Sequence, residues 1–222
     1  MNTEPIEYFY SVRSSFTYLG AARLNELSER VGIPIRHYPI ELDKVIQTYN
    51  DLHDPRPADR AFAGARAYER FPAREHYTQI EYRRWSEYRG IPIEPDPVHH
   101  YGPRLLPSGV VIAGQDMGLN VDRLSHDILQ GLWRDDRDIA DERVIRDVIH
   151  GCGLQTDPEA LVQRAKTEKT ELRLQRNTEL AVERGVFGSP FYLYRNEPFF
   201  GQDRLFFLEA AIVRVQADAT DA

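Results

Sequence analysis

The hydrophobic pattern opens with a short aromatic and β-branched run, Ile6 to Tyr10, which predicts a strand. Hydroxyl-rich residues from Ser11 to Ser15 break it. From Tyr18 onward Leu19, Ala22, Leu24, Leu27 and Val31 keep helical spacing, and Gly32 stands where a helix-ending glycine is expected. Ile33 to Ile40 then reads as a second strand with Pro34 at its start. A strand, helix and strand in this order predict a parallel pair joined by a right-handed crossover.

The middle of the chain is helical in pattern. Residues 41–73 give a weaker signal, with an alanine-rich stretch from Ala58 to Tyr68 that is compatible with a helix. Arg74 to Arg89 is clearer: Tyr77, Ile80, Trp85 and Tyr88 fall on one face, expected to be core, before Gly90-Ile91-Pro92 ends the element. Five prolines between Pro92 and Pro107 predict an irregular loop. Residues 108–184 read as successive helices, with start signals at Asn120-Val121-Asp122, Asp138 to Asp141 and Thr156-Asp157-Pro158-Glu159.

The pattern returns to strands near the end. Val186 to Tyr194 holds a glycine, a proline directly before an aromatic strand, and then an Asn196-Glu197-Pro198 turn into a short strand, Phe199-Phe200. Gly201-Gln202-Asp203 stands where a last helix must start. Two strands, a helical block, two strands and a helix describe a split α/β domain carrying a helical insertion.

Composition narrows the function. A net charge of -7 over 222 residues speaks against a nucleic-acid surface, which needs a basic stripe. No run reaches the length of a membrane span, and Met1 to Pro5 offers neither a basic nor an apolar leader, so a cytoplasmic, membrane-free protein is expected. The single cysteine, Cys152, excludes an internal disulfide and a Cys-x-x-Cys redox pair, and it reads as a small core residue. His99-His100 lacks the spacing of a helical zinc pair, so no metal is expected.

Candidate chemistry gathers at two places. Ser14 and Ser15 sit where the first helix starts, with unpaired amides and the positive end of the helix dipole. Ser14 can be a plain helix cap, or a hydrogen-bond donor to a thiolate brought by a ligand. Ser189-Pro190 can be a strand-edge stop, or a cis bond that turns the backbone of Ser189 toward an extended peptide. Gln202 and Asp203 can cap the last helix, or hold the carboxylate and ammonium of an amino acid.

These residues carry a resemblance. Tyr8-Phe9-Tyr10-Ser11-Val12-Arg13-Ser14-Ser15-Phe16, the helix from Arg74 to Pro92, Trp133 to Asp141, Val186-Phe187-Gly188-Ser189-Pro190 and Gly201-Gln202-Asp203-Arg204-Leu205 resemble the 2-hydroxychromene-2-carboxylate isomerases and kappa-class glutathione transferases. The resemblance implies an α/β thioredoxin-like domain with a large inserted all-α domain, the DsbA-like arrangement. Residues 1–45 and 185–222 would form the thioredoxin-like domain and 46–184 the insertion. It implies glutathione as cofactor, lying along Ser189 and cis-Pro190 with its γ-glutamyl end at Gln202 and Asp203, Asn50 as a further contact, and Ser14 as the catalytic residue. Arg13, Ser15 and Trp85 would border the substrate pocket. The implied chemistry is reversible addition of a thiolate to a conjugated double bond, rotation about the resulting single bond, and departure of the thiolate. A transferase or thiol oxidoreductase of the same fold, or a non-catalytic binding module, are the alternatives, and a homodimer is implied. Ser11 stands where the family commonly has an acid, Ser15 where it has Pro, and Ser189 where it often has Val; Arg13 is an unusual addition.

Overall fold

The computed structural model describes residues 4–53 and 72–220; the alanine-rich 58–68 stretch lies outside them. In chain order the elements are β1 (Ile6–Tyr10), α1 (Ser15–Val31), β2 (Ile35–Pro39), α2 (Leu42–His53), α3 (Pro72–Arg89), α4 (Leu105–Asp116), α5 (Asp122–Trp133), α6 (Glu142–Gly151), α7 (Pro158–Ala165), α8 (Glu168–Glu183), β3 (Phe191–Tyr194), β4 (Glu197–Phe200), a 3₁₀ turn (Gln202–Arg204) and α9 (Leu205–Thr220). Among the described residues no helix is long and apolar enough to cross a membrane.

The sheet runs β2-β1-β3-β4. β1 and β2 are parallel, as the crossover through α1 requires, with Ile6 opposite Ile35 and Tyr10 opposite Pro39. β3 pairs antiparallel with both β1 and β4. Alternation sends Tyr8, Tyr10, Tyr192 and Tyr194 to one face, where Leu24 and Leu27 of α1 and Leu208 and Ile212 of α9 cover them. Tyr8 stacks on Tyr10 at 4.2 Å and on Tyr192 at 5.3 Å. Phe9, Phe191 and Leu193 point the other way, against Val45 of α2 and Ala181 of α8. The helical block therefore does not stand apart, since its last helix is part of the cover on the sheet.

Three boundaries differ from the sequence reading. β2 starts at Ile35 because the Ile33 amide donates to Ser28 and closes α1 behind Gly32, whose φ is 67°. The β3–β4 reversal is made by Arg195 and Asn196, both with positive φ, so Pro198 lies inside β4 instead of in the turn. An edge strand tolerates it there. α4 begins at Leu105 and takes Pro107 into its first turn, where a missing amide costs nothing.

The apolar face read on α3 is only partly the one that packs on the core. Tyr77 and Tyr88 are 57% and 77% exposed, whereas Tyr82 is buried against Phe16 and Trp133, with ring centroids 5.7 and 5.8 Å away. Trp85 follows three residues later and packs partly buried on the same helical core. α3 thus lies on the body through its 82, 85 and 89 positions, a spacing that fits one helical face.

A buried polar chain joins sheet and helical block. The Tyr10 hydroxyl meets Nδ1 of His37 at 3.1 Å and accepts from Ser125 at 2.7 Å, and Nε2 of His37 meets Asp122 at 2.8 Å. Burial pushes the Tyr10 hydroxyl far above the usual phenol range. On the outer edge of β2 the Gln115 side chain accepts the His37 amide at 2.8 Å and donates to its carbonyl at 3.1 Å. The side-chain amide replaces a neighbouring strand there.

Two glycines separate close backbone contact from spare room. A Cβ on Gly109 of α4 would lie 2.6 Å from the Ala165 carbonyl oxygen, while one on Gly131 of α5 would meet Ile139 at an ordinary 3.7 Å. Gly109→Ala should cost about 1–3 kcal/mol, and Gly131→Ala should gain up to about 1 kcal/mol. Urea midpoints of the two variants check this; equal shifts would contradict the packing.

Candidate functional site

The site begins where β1 runs out. Its last residue, Tyr10, leads into a turn in which the Ser14 amide donates to the Ser11 carbonyl at 3.0 Å. Ser14 is the N-cap of α1, extended in backbone, and its Oγ accepts the Thr17 amide at 3.2 Å. The same hydroxyl donates to the carbonyl of Ser189 at 3.2 Å. The Ser14 hydroxyl thus caps the helix and also reaches across to the strand edge.

The Ser189–Pro190 bond is cis. The Ser189 side chain points inward, where its Oγ accepts the Ser11 amide at 2.9 Å and shares a hydrogen bond with the Thr17 hydroxyl at 2.8 Å. A serine suits position 189 because the Ser11 amide and the fully buried Thr17 hydroxyl need a polar partner. Of this group Ser14 and Ser189 stay partly exposed. Thr17 was not foreseen from the sequence, although its place three residues after a capping serine was a signal.

The other end of the edge is the 3₁₀ turn. Gly201 has φ 100°, a conformation that favours glycine, and a Cβ there would lie 2.7 Å from Asp203 Oδ1. Gln202 is 3% exposed, and its Oε1 finds no hydrogen-bond partner among the described residues. A Cβ on Gly20 of α1 would come within 2.8 Å of the Gln202 Cβ, so Gly20 allows the helix and the turn to touch. The Asp203 carboxylate is partly exposed and pairs with Arg204 at 2.5 Å.

The side chains of Arg13, Ser15 and Trp85 have other partners. Arg13 is no free cation facing a pocket: it is 2% exposed, and its guanidinium donates to the carbonyls of His99 at 2.5 Å, His100 at 2.7 Å and Pro103 at 2.8 Å. Burial first, then the nearby Arg104, lowers its pKa to about 10. The buried Ser15 hydroxyl turns into the helical core and donates to Tyr82 at 2.8 Å. Trp85 carries the Arg89 guanidinium 4.8 Å above its ring. Asn50 falls within α2, and its side chain lies outside the described part. Cys152 packs beside the helical core, its thiol pKa raised by burial.

Arg89 was read only as the end of a helix. It donates to the carbonyls of Leu19 and, at 3.2 Å, of Gln202, joining α3 to α1 and the 3₁₀ turn.

The loop that Arg13 holds has a second anchor. His99 Nδ1 lies 2.8 Å from the Asp136 carbonyl and 3.1 Å from its carboxylate. The Asp136 side chain first, then its carbonyl, raises the His99 pKa above the usual histidine range. The charged imidazole gains its partner on folding, so this stabilisation is full below the unfolded histidine pKa and is lost as pH rises through the raised one. Asp136→Asn, compatible with the positive φ of that residue, should bring the His99 titration back toward its ordinary midpoint in NMR. An unmoved midpoint would count against the pair.

Comparison with known proteins bears on the fold and the family. Residues 5–213 match the DSBA-like thioredoxin domain family. A 2-hydroxychromene-2-carboxylate isomerase of Pseudomonas sp. (strain C18) is 25% identical over 209 residues, covering 93% of this chain and 89% of its own. Glutathione S-transferase kappa 1 of Caenorhabditis elegans is 24% identical over 211 residues, covering 90% and 86%. A solved structure of 2-hydroxychromene-2-carboxylate isomerase aligns over 98% of both chains with a TM-score of 0.73 at 23% identity, and the cytosolic disulfide reductase DsbM from Pseudomonas aeruginosa, solved with GSH, aligns over 99% and 100% with a TM-score of 0.65 at 13%. The chain belongs to the DsbA-like thioredoxin-domain family, and its near full-length likeness within that family is to enzymes, the 2-hydroxychromene-2-carboxylate isomerases and a kappa-class transferase.

Proposed function

We propose that this protein is a glutathione-dependent isomerase of 2-hydroxychromene-2-carboxylate-like aromatic compounds, a cytoplasmic homodimer. The observation that carries the reading is the Ser14 hydroxyl, placed at the start of α1 and 3.2 Å from the carbonyl of the residue before a cis-proline. The turn that precedes α1 holds no cysteine, so a thiol acting there has to come from a ligand.

The residues present suit glutathione. Ser189, a partly exposed residue beside Pro190, suits pairing with an extended peptide. The unpaired Oε1 of Gln202 and the partly exposed carboxylate of Asp203 suit an ammonium group, and the first amides of the 3₁₀ turn suit a carboxylate. Asn50 keeps its place as a further contact. When bound, glutathione supplies the nucleophilic sulfur that adds to and leaves a conjugated carbon.

The chain's own part is electrostatic. Ser14 exchanges the Ser189 carbonyl for the sulfur as acceptor of its proton, while its lone pair keeps the Thr17 amide and so holds the hydroxyl in place. The positive end of α1 lies at the same point and favours the thiolate over the thiol. Ser11, Thr17 and Ser189 keep the two backbones at fixed separation during that exchange.

Two measurements test this. Glutathione should raise the melting temperature, with a hundredfold excess over Kd worth about 2.7 kcal/mol; no shift at millimolar glutathione would sink the cofactor assignment. Ser14→Ala should lower isomerase turnover about a hundredfold and stability by about 1 kcal/mol while glutathione still binds. If only stability falls, Ser14 is a cap alone. Conjugation of aryl halides in place of isomerisation would favour the transferase, and binding without either turnover would favour a binding module.

A further inference from the structure

The two ends of this edge are each tied to the helical block by one arginine, and the ties run in opposite directions. Arg13 leaves the turn before α1 and grips three carbonyls of the 97–104 loop. Arg89 leaves α3 and grips a carbonyl of α1 and the carbonyl of Gln202. Neither guanidinium forms an ion pair among the described residues, and both bury an unpartnered Nε. Burial lowers the pKa of both. A cation held this way, by carbonyl dipoles with only the Trp85 ring added at the half-buried Arg89, is a poor source of stability. Its planar fork is well suited to hold several carbonyls at fixed angles.

We infer that Arg13 and Arg89 are positioning residues with separate duties: Arg13 sets the orientation of Ser14, and Arg89 sets the Gln202–Asp203 turn against α1. This rests on the reading of the edge as a glutathione site. Ser14 is the next residue after Arg13, so the clamp on the 97–104 loop acts on the hydroxyl through one peptide unit. Gly102 is part of that clamp, because a Cβ there would lie 2.7 Å from the Arg13 guanidinium. Arg89 acts where Gly20 admits Gln202, and it pulls the carbonyl of the neighbouring Leu19 and that of Gln202 to one point.

The two duties predict opposite signatures. Arg13→Met should lower kcat about tenfold or more, with a smaller effect on glutathione Kd, and Arg89→Met should raise Kd about tenfold with a smaller effect on kcat, as expected for losing hydrogen bonds to a charged group. Arg13→Lys and Arg89→Lys should recover part of each loss. Amide hydrogen exchange gives a readout that needs no ligand: Arg13→Met should speed exchange at the Thr17 amide, which Ser14 caps, about tenfold more than at the Arg204 amide, and Arg89→Met should do the reverse. Gly102→Ala and Gly20→Ala displace the same contacts without removing a charge, and serve if an arginine variant fails to fold. Exchange that changes alike at both ends, or at neither, overturns the inference. Split exchange in a protein that does not bind glutathione leaves the positioning intact and removes the cofactor reading instead.

Discussion

The contact between Ser189 and the start of α1 fixes the rest of the site. Its carbonyl receives the Ser14 proton, and its hydroxyl receives the Ser11 amide and meets Thr17. Two segments 175 residues apart are joined there by groups that are buried or half-buried. Leaving any of these donors unpaired would cost on the order of 1–3 kcal/mol. That cost makes Ser11, Thr17 and Ser189 a matched set: an aliphatic residue at 189 would strand the Ser11 amide. Because the same atoms set the reach of Ser14, local polar bookkeeping and the placement of the reactive end are one problem.

The helical block supplies the frame around this contact. The Tyr10–His37–Asp122 chain fastens the end of β1 and the middle of β2 to α5. Arg13 fastens the next turn to the 97–104 loop, and that loop is held again by His99 and Asp136. Arg89 does the same for the 3₁₀ turn. The aromatic stack of Tyr8, Tyr10 and Tyr192 between α1 and α9 keeps the sheet from shifting under these ties. Rigid support on both sides is what a site needs when one hydroxyl has to choose between two acceptors.

Much of the fold was legible because its signals are local. The spacing of Leu19, Leu24 and Leu27 and the glycine at 32 are enough for α1, and the Asp141 and Asp157 caps mark α6 and α7, where their side chains accept from Arg143 and Glu159. The face of α3 was not legible. Its tyrosines and Trp85 spread over a wide arc of about 140°, so the presence of Phe16 and Trp133 decides that Tyr82 goes in and Tyr88 stays out. The hairpin boundary failed for a related reason: Asn196-Glu197-Pro198 looks like a turn, but two left-handed residues one position earlier complete it.

The sequence by itself determined the order of strands and helices, the cap at Ser14, the start of the last helix after Gly201 and the family. Each depends on residues within one turn or on a short motif. The tertiary structure decided what those residues touch. Ser15 turned to Tyr82, Arg13 turned from a pocket cation into a clamp, and Ser189 brought its side chain inward to Ser11 and Thr17. Where a polar side chain points depends on which buried donors and acceptors its neighbours leave unpaired, and here those neighbours come from distant parts of the chain.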